Sequence, residues 1–84
     1  MLKVLFFARI REELGCASQD IEFSNQITDT KSLVRFLSEQ NGAQWAEVLG
    51  QDNLICAVNQ TVVDGACNLT DGDEVAFFPP VTGG

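Results

Sequence analysis

Leu69-Thr70-Asp71-Gly72-Asp73-Glu74-Val75-Ala76-Phe77-Phe78-Pro79-Pro80-Val81-Thr82-Gly83-Gly84 holds a turn, a strand and a tail in sixteen residues. Thr70 to Asp73 carries the Asp and Gly residues that fold back on themselves as a turn. Glu74 to Phe78 is apolar and aromatic and predicts a strand. Proline has no N–H to give to a ladder, so Pro79-Pro80 ends that strand, and two prolines in a row favour an extended conformation leading away from the body. The six residues from Pro79 to Gly84 span about 20 Å when extended, and the two glycines add no Cβ, so they fit a channel too narrow for other residues.

Working back from this stretch, Leu54 to Val58 predicts a strand, Asn59-Gln60 a tight turn and Thr61 to Val63 the strand that pairs back. Lys3 to Ala8 predicts the first strand, Arg9 to Leu14 a helical turn, and Ile21 to Phe23 a hairpin partner beyond the loop around Gly15. Leu33, Phe36 and Leu37 share one helical face, with Asp29 or Thr30 as the cap and Gly42 as the stop. Trp45, Val48 and Leu49 repeat that spacing in a shorter helix ended by Gly50. The order is ββαββ with a further strand at the end. It implies an α+β roll, a mixed sheet with one main helix packed on one face. The expected division is a domain over residues 1–78 and a tail over 79–84.

Side chains alternate across a strand, so Phe6 and Phe7 point to opposite faces, and so do Phe77 and Phe78. One helix covers one face. The second aromatic of each pair then either forms an apolar patch of the kind that marks a partner site or lies under loops.

Twelve acidic and five basic residues give a formal charge of −7. That charge opposes binding to nucleic acid or anionic membrane and favours a basic protein partner, or serves solubility alone. The apolar residues fall in short runs, which predicts no membrane span. Charged residues from Arg9 onward follow Met1-Leu2-Lys3-Val4-Leu5 too soon for a signal peptide, so a cytoplasmic location is expected. Cys16, Cys56 and Cys67 show no C-x-x-C spacing, and the chain has no histidine; neither a zinc site nor an iron–sulfur cluster is expected. Cys56 lies in an apolar run and reads as a buried small side chain, while Cys16 and Cys67 fall in loops and read as exposed thiols.

A carboxylate at Gly84 is a poor electrophile at neutral pH, so using it requires activation, most simply by ATP to an acyl-adenylate. The chain carries no Walker-type loop and no histidine base, so a partner enzyme must do this. A persulfide or sulfide attacking the activated carbonyl gives a thiocarboxylate; a lysine amine gives an isopeptide. The tail suits both.

The run from Leu69 to Gly84, with Ala57-Val58-Asn59-Gln60, Lys3-Val4-Leu5-Phe6-Phe7-Ala8 and Arg11-Glu12, resembles the small, sulfur-carrying subunits of molybdopterin synthases, of the ubiquitin-like β-grasp family. The resemblance implies a β-grasp fold and a role as a sulfur carrier. Gly84 would be adenylated by a ubiquitin-activating-like adenylyltransferase at the expense of ATP and loaded by a sulfur-donor enzyme. It would then give its sulfur to cyclic pyranopterin monophosphate, two sulfurs per dithiolene. The chain would be part of an enzyme only as the sulfur-donating subunit of a heterotetrameric sulfurtransferase whose large subunit supplies the substrate pocket. No cofactor or metal is expected on this chain. Carried over by position, Val81, Thr82 and Gly83 would thread into the partner and Phe7, Val62 and Phe78 would dock against it. Asp71 and Asp73 read as turn formers, and together with Glu74 could also steer the partner. A thiamine-pathway sulfur carrier and a ubiquitin-like lysine modifier are the alternatives, and the Phe-Phe-Pro-Pro-Val-Thr-Gly-Gly ending favours the molybdenum-cofactor role over the first.

Overall fold

The computed structural model describes residues 1–80, and Val81, Thr82, Gly83 and Gly84 lie outside the described residues. Five strands and three helices follow in the order β1 (Leu2–Phe6), α1 (Ala8–Leu14), β2 (Ser18–Ile21), α2 (Thr30–Asn41), α3 (Ala43–Leu49), β3 (Ile55–Val58), β4 (Thr61–Val63) and β5 (Glu74–Phe78). The strands form one mixed sheet in the order β2-β1-β5-β3-β4, in which only β1 and β5 run parallel. β5 is therefore central. It pairs with β1 from Lys3–Glu74 to Phe6–Phe77 and with β3 from Ile55–Phe78 to Val58–Val75.

Alternation assigns the inner face to Leu2, Val4 and Phe6 of β1 and to Val75 and Phe77 of β5, all buried. The helices close this face. Leu33 and Leu37 of α2, Trp45, Val48 and Leu49 of α3, and Ile10 and Leu14 of α1 complete the core. Phe6 meets Trp45 edge to face, with ring centroids 5.3 Å apart, and stacks on Phe77 at 5.9 Å. Both are geometries in which the aromatic quadrupoles attract.

Asp29 is the cap of α2. Its Oδ1 accepts from the Ser32 N–H at 2.8 Å, and Ser32 Oγ accepts in return from the Asp29 N–H at 3.0 Å, so a serine at the third helical position completes the capping box. Thr30, inside the first turn, is buried; its hydroxyl accepts from the Cys67 N–H at 3.1 Å and so ties the β4–β5 connection to the helix. Phe36 is only half-buried and Leu33 and Leu37 carry the helix face. Gly42, at φ +100°, breaks α2 from α3 in a backbone region that a side chain would strain.

Two elements differ from the sequence expectation. The first strand stops at Phe6 instead of Ala8, because burying Ile10 and Leu14, four residues apart, requires a two-turn helix from Ala8. Ala8 itself makes the corner at φ +52°, a conformation costing an alanine on the order of 1–2 kcal/mol. The second strand is Ser18–Ile21, not Ile21–Phe23. Its sequence is polar because it is an edge strand, and the pairing Leu2–Ile21 leaves only Ile21 fully buried in the core. Backbone pairing to β1, not side-chain preference, decides its position.

The hydrogen bonds from Ser32 hold the Asp29 carboxyl below its ordinary value of 3.8. A depressed folded-state value means that this stabilisation is complete above the unfolded value and fades as pH falls below about 3.8 through the folded one. Asp29→Ala is therefore expected to lower the Tm at pH 7 and to lower it by less at pH 2 to 3, roughly one unit or more below that value, as read by thermal unfolding followed by circular dichroism. An equal loss at both pH values would contradict the carboxylate cap.

Candidate functional site: the outer face of the sheet

The face of the sheet away from the helices is built from the other parity of the same strands. Leu5 and Phe7 come from β1 and its end, Ala76 and Phe78 from β5, Ala57 from β3 and Val62 from β4. Ala57 and Ala76 are cross-strand partners, and Leu5 is the partner of Ala76 on its other side. Two small side chains at the centre and larger ones around them make a shallow bowl of about 410 Å³, with Gln60 and Glu74 as its polar lining.

Phe7 and Phe78 stack face to face with centroids 4.7 Å apart and planes within 5°. The Phe7 N–H donates to the Phe77 carbonyl at 3.1 Å, and the Phe7 carbonyl accepts from Ile10 N–H, so the backbone fixes the ring from both sides. Phe7 is 39% and Val62 69% exposed, and they and Met1 are the exposed large apolar residues among those described. The structure thus brings together Phe7, Val62 and Phe78 on one surface. The two rings shield each other, Phe7 remaining exposed and Phe78 half-buried. Phe78 is followed directly by Pro79, so the surface and the root of the tail share one strand.

The acidic residues near the tail are tied into structure. Asp73 Oδ2 accepts from the Thr70 N–H at 2.8 Å and Oδ1 accepts from Asn59 Nδ2 at 3.0 Å. These bonds, the one from Thr70 N–H foremost, hold its carboxyl below the ordinary range. Asp71 pairs with the amino terminus. Both serve the turn, as their sequence context implies, and Glu74 is the acidic side chain that lines the bowl.

A larger concavity, about 490 Å³, lies on the helix side between α2 and the β3–β4 strands. Its rim mixes Lys31 and Arg35 with Asp52 and Asp64, and it touches none of Phe7, Val62 and Phe78. Size alone does not select it, because the apolar surface continuous with the tail is elsewhere.

The ThiS family model matches residues 4–84. The chain belongs to the ThiS family. Within that family its relatives are sulfur carriers: the molybdopterin synthase sulfur carrier subunit of Escherichia coli K12 is 45% identical over 84 residues, the whole of both chains. A solved complex of subunits 1 and 2 of the molybdopterin-converting factor from Helicobacter pylori contains a chain 31% identical, with a TM-score of 0.68 over 99% of this chain and 97% of that one. SAMP1 from Haloferax volcanii, at 20% identity, has a TM-score of 0.74 over 99% and 98% of the two chains and shares the fold. The α+β architecture is the ubiquitin-like β-grasp of this ThiS-family group, and the chain stands among its molybdopterin synthase sulfur carrier subunits.

The cysteines of this ThiS-family chain are all half-buried. Cys56 is less enclosed than its apolar surroundings imply, because it lines the helix-side concavity. Burial pushes its thiol up to about 11, with Cys67 nearby adding to the rise. Among the described residues no group of three or more His, Cys, Asp or Glu side chains is placed to hold a metal ion, and no helix is long and apolar enough to cross a membrane.

The two phenylalanines of β5 give opposite expectations. Phe77→Ala removes a fully buried ring and should cost about 3–5 kcal/mol, enough to unfold much of so small a domain. Phe78→Asp should leave a cooperative unfolding transition near the wild-type temperature, since its ring lies outside the core; equal losses in differential scanning calorimetry would place both in the core. At pH 8 the Cys56 thiol, near 11, is only about one part in a thousand thiolate. Iodoacetamide should therefore modify it far more slowly in the folded than in the unfolded protein, as followed by peptide mass mapping.

Proposed function

We propose that this chain is the sulfur carrier and small subunit of a molybdopterin synthase, that its outer face docks the large subunit, and that its Gly84 carboxylate bears the sulfur. The observation that carries the reading is the continuity of β5: the strand that presents Phe78 to the docking face runs directly into Pro79-Pro80 and the tail. A partner that grips the stacked Phe7–Phe78 pair and Val62 therefore grips the chain within six residues of Gly84. Binding energy at the face is converted into placement of the tail, which turns a bimolecular sulfur transfer into an intramolecular one.

The chemistry divides between proteins. A ubiquitin-activating-like adenylyltransferase joins the Gly84 carboxylate to AMP and releases pyrophosphate. A sulfide sulfur, delivered by a donor enzyme, attacks the acyl carbon; the carbon–oxygen bond to AMP breaks and a thiocarboxylate remains. Where the donor is a persulfide, the acyl disulfide first formed is cleaved by a second thiol acting as reductant. In the synthase the thiocarboxylate sulfur attacks a carbon of cyclic pyranopterin monophosphate, the carbon–oxygen bond at that carbon breaks and its oxygen departs, and water then cleaves the acyl–sulfur bond and restores the carboxylate. Two rounds build one dithiolene. This chain contributes no general acid or base to the steps; it supplies the docking face, a narrow end and the carried atom. Its net charge of −7 suits a basic partner surface and speeds encounter at low ionic strength.

Incubation with the activating enzyme, ATP and a sulfur source should raise the intact mass by the difference between one sulfur and one oxygen, with the change confined to the C-terminal peptide. Absence of that product would overturn the carrier reading. One residue added after Gly84 should abolish sulfur transfer without altering the circular dichroism spectrum; an active extended chain would contradict threading of the tail.

A further inference from the structure

Three described residues other than glycine hold a left-handed backbone: Ala8, Asn59 and Gln60, at φ +52°, +51° and +70°. Ala8 turns the chain from β1 into α1. Asn59 and Gln60 are the two central residues of the β3–β4 hairpin, whose positive φ angles match the primed turn that right-twisted strands require. Asparagine tolerates that region, and here it is put to use. The Asn59 N–H donates to the Glu74 carbonyl at 2.7 Å, its Oδ1 accepts from the Glu74 N–H at 3.0 Å, and its Nδ2 donates to Asp73. The hairpin tip is thereby bolted to the central strand.

Gln60 has no such account. The second position of this turn is the one at which glycine is free of strain, and the chain does place glycines at positive φ elsewhere, at Gly15, Gly42, Gly65 and Gly72. Among the described residues no side-chain hydrogen bond involves the Gln60 amide, and the residue is exposed. It lines the bowl of the outer face together with Val62, Phe7 and Phe78. Gln60 thus holds a left-handed backbone, with its amide in no side-chain hydrogen bond among the described residues, at the border of an apolar surface where a partner could reach it.

We infer that Gln60 is a partner-binding residue of the docking face, its carboxamide forming hydrogen bonds with a main-chain peptide group of the large subunit at the polar edge of the bowl. A carboxamide carries both donor and acceptor and so matches a peptide group in either direction. Because Asn59 has already fixed the turn, the amide is presented with little further loss of backbone freedom. This inference rests on the reading of the outer face as the surface that meets the large subunit.

The test compares Gln60→Gly, Gln60→Ala and Phe78→Asp in calorimetric binding to the large synthase subunit of the same organism, with thermal unfolding of each free protein. Gln60→Gly should raise the Tm, by relieving the left-handed strain, and weaken binding roughly three- to tenfold. Gln60→Ala keeps the Cβ and its strain, so its Tm should stay near wild type while affinity falls by a similar factor. Stability and binding moving in opposite directions is a signature that a structural role would not produce. Either Gln60 variant binding as tightly as wild type, while Phe78→Asp loses binding, would overturn this inference alone. Wild type that fails to bind, or Phe78→Asp binding normally, would overturn the docking-face reading and this inference with it.

Discussion

The parallel pairing of β1 with β5 is the constraint on which the rest of the molecule depends. Its register sets Phe6 beside Phe77 and, one residue on, Phe7 beside Phe78. Because side chains alternate, one pairing makes two aromatic stacks, one inside the core and one on the outer surface. A slip of β5 by one residue against β1 would turn Phe77 outward and Phe78 in against the helices while Phe6 and Phe7 kept their faces, so both stacks would be lost. The hydrophobic gain from burying the inner stack with Trp45 thus also fixes the geometry of the outer surface, the proposed docking face.

The periphery holds that central pair in place with polar contacts. Asp29 and Ser32 start α2, Thr30 fastens it to the segment before β5, and Asn59 with Asp73 locks the β3–β4 hairpin to β5. These bonds are exposed or part-buried, and each is modest in net energy. Their common effect is positional: the Thr30 and Asn59 bonds each hold a segment next to β5, and the Asp29–Ser32 bonds hold the start of the helix to which one of those segments is tied. The strand that continues into the tail is consequently among the best-held parts of the chain, with Val75 and Phe77 fully buried. A rigid root fits the proposed function, in which the tail is aimed into a partner and motion at the root would dilute the effective concentration of the sulfur proposed to be carried there.

Much of this was legible in the sequence because local chemistry and fold agree. Asn59-Gln60 between two β-branched runs reads as a turn, Thr70 to Asp73 as another, and Leu33 and Leu37 as a helix face; each is found where expected. The failures also have physical causes. β2 lies upstream of the expected Ile21–Phe23 because an edge strand with one solvated face needs few apolar residues, so Ser18-Gln19-Asp20 carries no pattern. The first strand is shorter than the sequence implies because Phe7 and Ala8 are as suited to a strand as Phe6, and only the need to bury Ile10 and Leu14 turns them into a helix start. The partial exposure of Cys56 had no signal in its apolar neighbours, since the concavity beside it forms only when α2 meets the hairpin.

The sequence by itself determined the alternation of each strand, the caps and turns, the excess of negative charge and the Pro-Pro-Val-Thr-Gly-Gly ending, because all of these are properties of residues a few positions apart. The tertiary structure decided which member of each phenylalanine pair faces solvent, that Phe7 and Phe78 stack on one another, and that Val62 and Gln60 border the same bowl. Those relations join residues as far apart as Leu5 and Ala76. They exist only once the sheet has chosen its strand order and the helices have chosen one side to cover.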